Sequence, residues 1–208
     1  MLRKFQNNKQ DKAFYFMEWY FSVWFGFIFA LLGFLLFRVI YLIFLSPDIN
    51  ALPENDIFRA FFVGFRFDLK TAAILTAILF TIGAVFYIFN KKIWLYFKNF
   101  SLIYQFLFLF TFNLLGIINF YFFTFYQSQI NALIFGLNDD DTLAVLITLW
   151  SDFPIIKLFL ILFGLTGLQV LLASKLGRFF AFSINKFIIF PLLLITLILN
   201  LLFIKGGF

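Results

Sequence analysis

Five long apolar stretches constrain this chain more than any other feature of its sequence. They cover about residues 20–45, 69–89, 101–123, 154–173 and 187–204. A helix needs about 20 largely apolar residues to cross a bilayer, and each stretch approaches or exceeds that length. The stretches lack the apolar–polar alternation of barrel strands, so they predict helices. The sequence therefore predicts an all-α, polytopic membrane protein with five transmembrane helices.

The composition excludes several other classes of protein. Hydrophobic residues make up 64% and charged residues 12% of the 208 positions, against about 45–50% and about 25% in soluble domains. A soluble domain, a disordered chain and a nucleic-acid-binding protein are excluded, although the net charge is +6. The chain has no Cys and no His, which excludes thiol redox chemistry, Ser–His proteases, zinc proteases and haem-binding bundles. We expect no metal and no cofactor in this chain.

The distribution of Lys and Arg predicts the orientation of the five helices. With a cytoplasmic N-terminus, ten of the sixteen basic residues fall on the cytoplasmic side and five on the outer side, with Arg38 inside the first span. Cytoplasmic loops carry an excess of Lys and Arg, so we predict a cytoplasmic N-terminus and an extracytoplasmic C-terminus. Residues 1–19 are predicted to be a basic cytoplasmic segment, and residues 20–208 the five-helix domain.

Two predicted outer loops, about 46–68 and 124–153, are longer than a connection between helices needs. Apolar residues recur at helical spacing over 57–65 and again over 130–137, which predicts short helices lying in the outer interface. Asp139, Asp140 and Asp141 precede the apolar segment 142–150. Capping of a helix start is favoured over a cation site for these three residues, because adjacent carboxylates diverge.

Four charged residues near the predicted outer surface are candidates for headgroup contacts or ion pairs: Arg38, Arg66, Asp68 and Lys70. A charge at the depth of Arg38 costs a few kcal/mol unless it is paired or reaches the headgroups. Arg38 is expected to pair with Asp68, to hold a lipid phosphate, or to extend to the headgroups. Arg66 and Asp68 lie two residues apart and face different ways on one helix, so each is expected to have its own partner.

Three amide side chains lie along the third span: Gln105, Asn113 and Asn119. Polar side chains inside the membrane usually hydrogen-bond between helices, and this is the favoured interpretation. The alternative is that the three amides line a translocation path. The sequence contains no acid–base pair, nucleophile elbow or phosphate-binding loop, so no catalytic residue is predicted.

Several short motifs together resemble a known family. Gly64-Phe65-Arg66-Phe67-Asp68-Leu69 is similar to the family's G-x-R-F-D-hydrophobic signature at the start of the second span. Residues 119–123, followed by Asn131, the Asp139–Asp141 cluster, residues 150–154 and the basic-Gly exit at 203–208 add to the likeness. On these motifs the chain resembles the N-terminal membrane domain of the lipoteichoic acid synthase-like phosphoglycerol transferases, which belong to the alkaline phosphatase/sulfatase superfamily.

The resemblance implies five membrane helices in a bacterial cytoplasmic (inner) membrane, followed by a large extracytoplasmic catalytic domain. That domain would supply a Thr nucleophile and a divalent-metal site, and it is expected after residue 208 but is absent from these residues. No catalytic residue can therefore be assigned to this chain by resemblance. The expected partners are membrane phospholipids and the C-terminal catalytic domain of the same gene product.

Two classes of function follow from the sequence. The first is a membrane-anchoring domain of a phosphoglycerol- or phosphoethanolamine-transferase-like enzyme that contacts its lipid donor. The alternative is a small transporter or channel component, or a structural membrane subunit. The transporter alternative requires that Gln105, Asn113 and Asn119 face one another.

Overall fold

The structure is a computed structural model that describes residues 2–45, 54–126, 147, 150, 151 and 153–206. Its five long helices are α1 (Leu2–Leu45), α2 (Glu54–Ile88), α3 (Lys91–Tyr126), α4 (Ile155–Phe179) and α5 (Lys186–Lys205). The part of the chain that is described contains no strand. All five helices are long and apolar enough to cross a membrane. The predicted all-α, multi-pass membrane fold is therefore confirmed.

The first three helices extend beyond their predicted spans. α1, α2 and α3 contain 44, 35 and 36 residues, whereas α5 contains 20. At about 1.5 Å of rise per residue, α5 is about 30 Å long and matches the hydrocarbon core of a bilayer. The longer helices must project beyond that core, tilt within it, or do both.

The segment that is predicted to be basic and cytoplasmic, residues 1–19, is part of a helix from Leu2 onward. The side chains of α1 become buried well before the predicted span begins. Ala13, Phe16, Met17 and Tyr20 recur at i, i+3, i+4 and i+7 and are all buried. One apolar face of this helix therefore joins the core, because its residues repeat with the period of a helix.

The predicted interfacial helices have two different outcomes. Residues 57–65 are helical, but they continue without a break into the second span as part of α2. No proline interrupts this helix, and Gly64 within it is buried against another helix. In the second outer loop, residues 130–146 lie outside the described residues, whereas Ile147, Trp150 and Ser151 are helical.

The contacts between helices define their directions. Glu18 and Tyr41 of α1 meet Lys98 and Phe120 of α3, so these two helices are parallel. α2 and α4 run in the opposite direction, and α5 runs parallel to α1. α1 packs against α2, α3 and α4, and α5 packs mainly against α2. The start of α1 and the end of α5 consequently lie at opposite ends of the bundle.

A cluster of aromatic side chains fills the core near the start of α1. Trp19 lies 5.2 Å from Trp94 of α3 and 5.5 Å from Phe80 of α2, measured between ring centroids. Both Trp side chains and Phe80 are buried. Lipid tails are as apolar as these rings, so close van der Waals packing rather than exclusion of water holds this part of the bundle together.

Candidate functional site

An ion pair joins α1 to α2 at the end of the bundle where α5 ends, which we name the exit end. Arg38 Nε donates to Asp68 Oδ2 at 2.8 Å, and Arg38 Nη2 donates to Asp68 Oδ1 at 2.9 Å. Two parallel hydrogen bonds between a guanidinium and a carboxylate form the strong, geometrically specific type of ion pair. The Asp68 side chain is 13% exposed and that of Arg38 31%. The sequence allowed Arg38 to pair with Asp68, to hold a lipid phosphate or to extend to the headgroups, and in the structure it pairs with Asp68.

Gly64 makes room for this ion pair. A Cβ atom at position 64 would lie 1.5 Å from Arg38 Nη1 and 2.1 Å from Arg38 Cζ. Gly64 and Asp68 are four residues apart, so they lie on the same face of α2. The guanidinium of Arg38 therefore passes over Gly64 to reach the carboxylate. The glycine and the aspartate of the sequence motif serve one and the same contact.

Arg66, between these two residues, has a different partner. Arg66 Nη2 donates to the carbonyl oxygen of Gly206 at 2.6 Å. Gly206 has a φ of 68° and caps α5, with its N–H directed at the carbonyls of Leu202 and Phe203. A left-handed residue at this position commonly ends a helix, and glycine adopts that conformation without strain. Arg66 thus ties the exit of α5 to α2.

A cavity of about 250 Å³ opens beside this contact, between α2 and α5. We name it the exit cavity, and its lining residues are Val63, Arg66, Phe67, Lys70, Ile204, Lys205 and Gly206. The three cationic residues of the lining are all exposed. Among the side chains that the structure describes, no carboxylate lies within ion-pair distance of Arg66, Lys70 or Lys205. The exit cavity therefore combines positive charge with apolar walls.

Lys205 belongs to the basic-Gly motif at 203–208 but is absent from the four candidates for headgroup contacts or ion pairs. Its position as the last residue of the last span was a usable signal, because basic side chains at the end of a span lie at headgroup level. Its proximity to Arg66 and Lys70 depends on the packing of α5 against α2. Hydropathy alone does not predict that neighbourhood.

A second charged cluster, at the opposite end of the bundle, was also missed. Glu18 of α1 is 3% exposed, and its carboxylate binds both Lys98 of α3 and Arg178 of α4. Arg178 Nε donates to Glu18 Oε1 at 3.1 Å. Lys12 donates to the carbonyl oxygens of Tyr87 and Phe89 at the end of α2. The usable signal in the sequence was an acidic residue, Glu18, within the aromatic run that begins at Phe14.

The three amides of α3 lie at separate contacts. Asn113 Nδ2 donates to Thr166 Oγ1 at 3.0 Å and to Gln169 Oε1 at 2.9 Å, both on α4. Gln105 is 2% exposed and lies against Gly26 of α1, where an added Cβ would be 2.5 Å from its Oε1. Both amide atoms of Gln105 lack a hydrogen-bond partner in the described part of the chain.

Asn119, the third amide, lies against Tyr41 of α1. At about 1.5 Å per residue, Gln105 and Asn113 are about 12 Å apart along α3, and Asn113 and Asn119 about 9 Å apart. The three side chains therefore lie at different levels along α3 and do not form one shared polar group.

A further set of polar contacts lies on α5, where the sequence predicts that Thr196 and Asn200 make contacts between helices. Thr76 Oγ1 of α2 donates to Asn200 Oδ1 at 2.6 Å, and Tyr20 of α1 and Thr196 share a hydrogen bond of 2.8 Å. Asn200 and Thr196 are both buried. Hydrogen bonds of this kind link helices inside a membrane, and here they join α5 to α1 and α2.

The charged residues of the exit cavity can bind a ligand of opposite charge. Within the described ranges, no group of three or more His, Cys, Asp or Glu residues could hold a metal ion. The Asp139–Asp141 cluster lies outside the described residues. Exposed Arg and Lys side chains on an apolar-walled cavity can bind an anion.

Comparison with known proteins adds no further identification. No protein-family model matches the chain, no curated protein matches it, and no solved structure matches it. The class that the fold defines is a five-helix, multi-pass membrane protein.

Proposed function

We propose that this chain is the membrane domain of a phosphoglycerol- or phosphoethanolamine-transferase-like enzyme of the bacterial cell envelope. In this proposal the N-terminus lies in the cytoplasm and the C-terminus lies outside the cytoplasmic membrane. The five helices anchor an extracytoplasmic catalytic domain of the sulfatase type that follows α5. That catalytic domain would supply the Thr nucleophile and the divalent metal that the resemblance implies.

One observation carries the proposal: the motif behind the resemblance lies at the exit of the chain from the bundle. Gly64 and Asp68 hold Arg38 of α1, while Arg66 binds the carbonyl of Gly206 directly after α5. The motif therefore connects the first, second and last helices at one end. A domain that follows Gly206 would start from a fixed position and direction, which an anchored catalytic domain needs in order to act at the membrane surface.

The charges at the two ends of the bundle support the proposed orientation. The end that contains Glu18 also contains Lys98 and Arg178 and is continuous with the basic residues of the N-terminal turns of α1. An excess of Lys and Arg marks the cytoplasmic side, so this end is assigned to the cytoplasm. The exit end then faces the cell envelope.

The coding sequence beyond Phe208 tests the enzymatic part of this proposal. We expect an in-frame domain with a Thr nucleophile and metal-binding His and Asp residues. With such a domain present, the full-length protein in proteoliposomes should release diacylglycerol from labelled phosphatidylglycerol or phosphatidylethanolamine when a divalent metal is added. A frame that ends at Phe208, or that continues into a domain without these residues, would refute the transferase assignment.

Reporter fusions test the orientation separately. Alkaline phosphatase fused after Phe208 should be active, because it folds only outside the cytoplasm. The same reporter fused after Asn90, in the short connection between α2 and α3, should be inactive. Fluorescent-protein fusions at both positions should give the opposite pattern. Phosphatase activity at Asn90 combined with inactivity at Phe208 would reverse the orientation.

The transporter alternative makes a different prediction for α3. A translocation path would give water access to Gln105, Asn113 and Asn119, whereas Asn113 in the structure is hydrogen-bonded to α4. The chain has no Cys, so each single Cys substitution along α3 introduces a unique thiol. Labelling of these thiols by a membrane-impermeant maleimide should be confined to the ends of α3. A continuous labelled stripe through residues 105, 113 and 119 would favour the transporter.

A further inference from the structure

We propose that the exit cavity binds the phosphate group of an anionic phospholipid through Arg66, Lys70 and Lys205. This inference needs only the membrane fold and the geometry at the exit end. It does not depend on the transferase assignment or on which side of the membrane the exit end faces.

The shape of the cavity fits an amphipathic ligand. Arg66 and Lys70 are four residues apart on α2 and therefore share one face of that helix. Lys205 approaches from α5, and the apolar part of the wall comes from Val63, Phe67 and Ile204. Cationic groups can contact the phosphate, while the apolar wall can contact the glycerol and the first acyl carbons.

The charges of the cavity favour an anion. Arg66 uses Nη2 to bind the Gly206 carbonyl, which orients the guanidinium and leaves most of its five N–H donors for a ligand. The carboxylate of Asp68 is engaged by Arg38, and it projects from a different face of α2 than Arg66. Three positive charges thus face one small volume without a carboxylate partner among the described residues. A bound phosphate reduces their mutual repulsion.

The depth of the cavity matches the level of lipid headgroups. α5 is about as long as the hydrocarbon core is thick, so its final residue, Lys205, marks one boundary of that core. Arg66 contacts Gly206 at this boundary, and Lys70 lies one helical turn, about 6 Å, further in. Basic pockets between helices at this level bind acidic lipid headgroups. A free phosphate ion is the other source of the same chemistry, and the experiment separates the two.

The test is lipid retention by the purified protein. The chain is placed in phosphatidylcholine nanodiscs that contain a minor fraction of phosphatidylglycerol, and native mass spectrometry after release counts the lipids retained. The original protein should retain phosphatidylglycerol in preference to phosphatidylcholine. Lys70→Gln combined with Lys205→Gln should lower this preference by about tenfold. These two positions are chosen because Arg66 also holds the end of α5.

Two control variants make the result specific to the cavity. Lys157→Gln removes an exposed cation near the start of α4 that is absent from the cavity lining, and it should leave the preference within about twofold. Lys70→Arg keeps the charge and should retain most of the preference. Each variant is first shown to be folded by thermal unfolding, so that a loss of lipid can be assigned to the cavity.

Three outcomes would overturn the inference. The first is equal retention of phosphatidylglycerol by the double variant and by the original protein. The second is an equal loss in Lys157→Gln, which would indicate general surface charge. The third is displacement of the retained lipid by inorganic phosphate at the same concentration, which would assign the cavity to a free anion. None of these readouts depends on transferase activity, so the outcome is separate from that of the proposed function.

Discussion

Replacing Gly64 with Ala should separate Arg38 from Asp68. The added Cβ would lie 1.5 Å from Arg38 Nη1, and all three nearest atoms belong to the guanidinium. These atoms are the end of a flexible side chain, so we expect Arg38 to move away rather than α2 to break. The free energy lost is then that of the ion pair rather than that of a backbone clash.

The magnitude follows from the exposure of the two partners. Breaking a fully buried ion pair costs about 3–5 kcal/mol, whereas an exposed pair contributes about 0–1 kcal/mol. Asp68 is 13% and Arg38 31% exposed, so we expect a cost of about 1–3 kcal/mol. Ala has a better helix propensity than Gly by about 1 kcal/mol, which offsets part of this cost. A matched control is needed to separate the two effects.

Gly164→Ala is that control, because an added Cβ at Gly164 in α4 meets no atom within 4 Å. It gains the same helix propensity without disturbing an ion pair. At about 2–4 °C per kcal/mol, Gly64→Ala should unfold about 2–12 °C below Gly164→Ala. Thermal unfolding in detergent, followed by intrinsic Trp fluorescence, measures the difference between the two midpoints.

The Arg38→Ala background tests the cause of this difference. Without the guanidinium, nothing at Gly64 would be displaced, so Gly64→Ala and Gly164→Ala should shift the midpoint equally in that background. A persistent difference would show that Gly64 matters for another reason, and the reasoning from the ion pair would be wrong. Equal midpoints of the two variants in the original protein would refute it as well.

Four further substitutions, in two matched pairs, test the packing and the charges near Glu18. Gly177→Ala should destabilise the fold more than Gly64→Ala, because its Cβ would lie 2.7 Å from the backbone of α1, which cannot rotate away as a side chain can. The control is Gly167→Ala, whose Cβ meets nothing within 4 Å. Thermal unfolding of the variants measures the difference. Glu18→Gln should cost about 2–4 kcal/mol because it leaves Lys98 without its counter-ion at 14% exposure. Arg178→Gln should cost less than about 1 kcal/mol, because that side chain is 73% exposed. Equal unfolding midpoints for Glu18→Gln and Arg178→Gln would contradict the assignment of the larger contribution to the pair of Glu18 with Lys98.

Hydropathy predicted the number of helices well because the bilayer imposes one dominant requirement on each span. The helices α1, α2 and α3 nevertheless begin before the predicted membrane spans, at Leu2, Glu54 and Lys91. Glu18 and Asp68 interrupt the apolar runs, so the predicted spans began near them. Both carboxylates are instead paired within continuous helices. A charged residue ends an apolar run in the sequence. It does not end the helix when its side chain has a partner within the fold, as Glu18 and Asp68 do.

Contacts between site residues were predictable where the sequence put both residues at the same depth in the membrane. Arg38 and Asp68 were both placed near the outer surface from the sequence, and a buried Arg at that level needs a counter-ion. The partner of Arg66 was not predictable, because a backbone carbonyl carries no signal in the sequence. The contribution of Lys205 to the exit cavity likewise depends on α5 packing beside α2. Helix neighbours must be known before such contacts can be inferred.

The cations around Glu18 and the cations of the exit cavity differ in their partners within the fold. Near the start of α1, Lys98 and Arg178 share the carboxylate of Glu18, and Lys12 binds the carbonyls that end α2. These cations already have partners within the fold. At the exit end, the ion pair with Asp68 neutralises Arg38 but leaves the three cations of the exit cavity without a carboxylate among the described residues. The positive charge of the exit cavity therefore remains available to an external anion, whereas Lys98 and Arg178 share the carboxylate of Glu18.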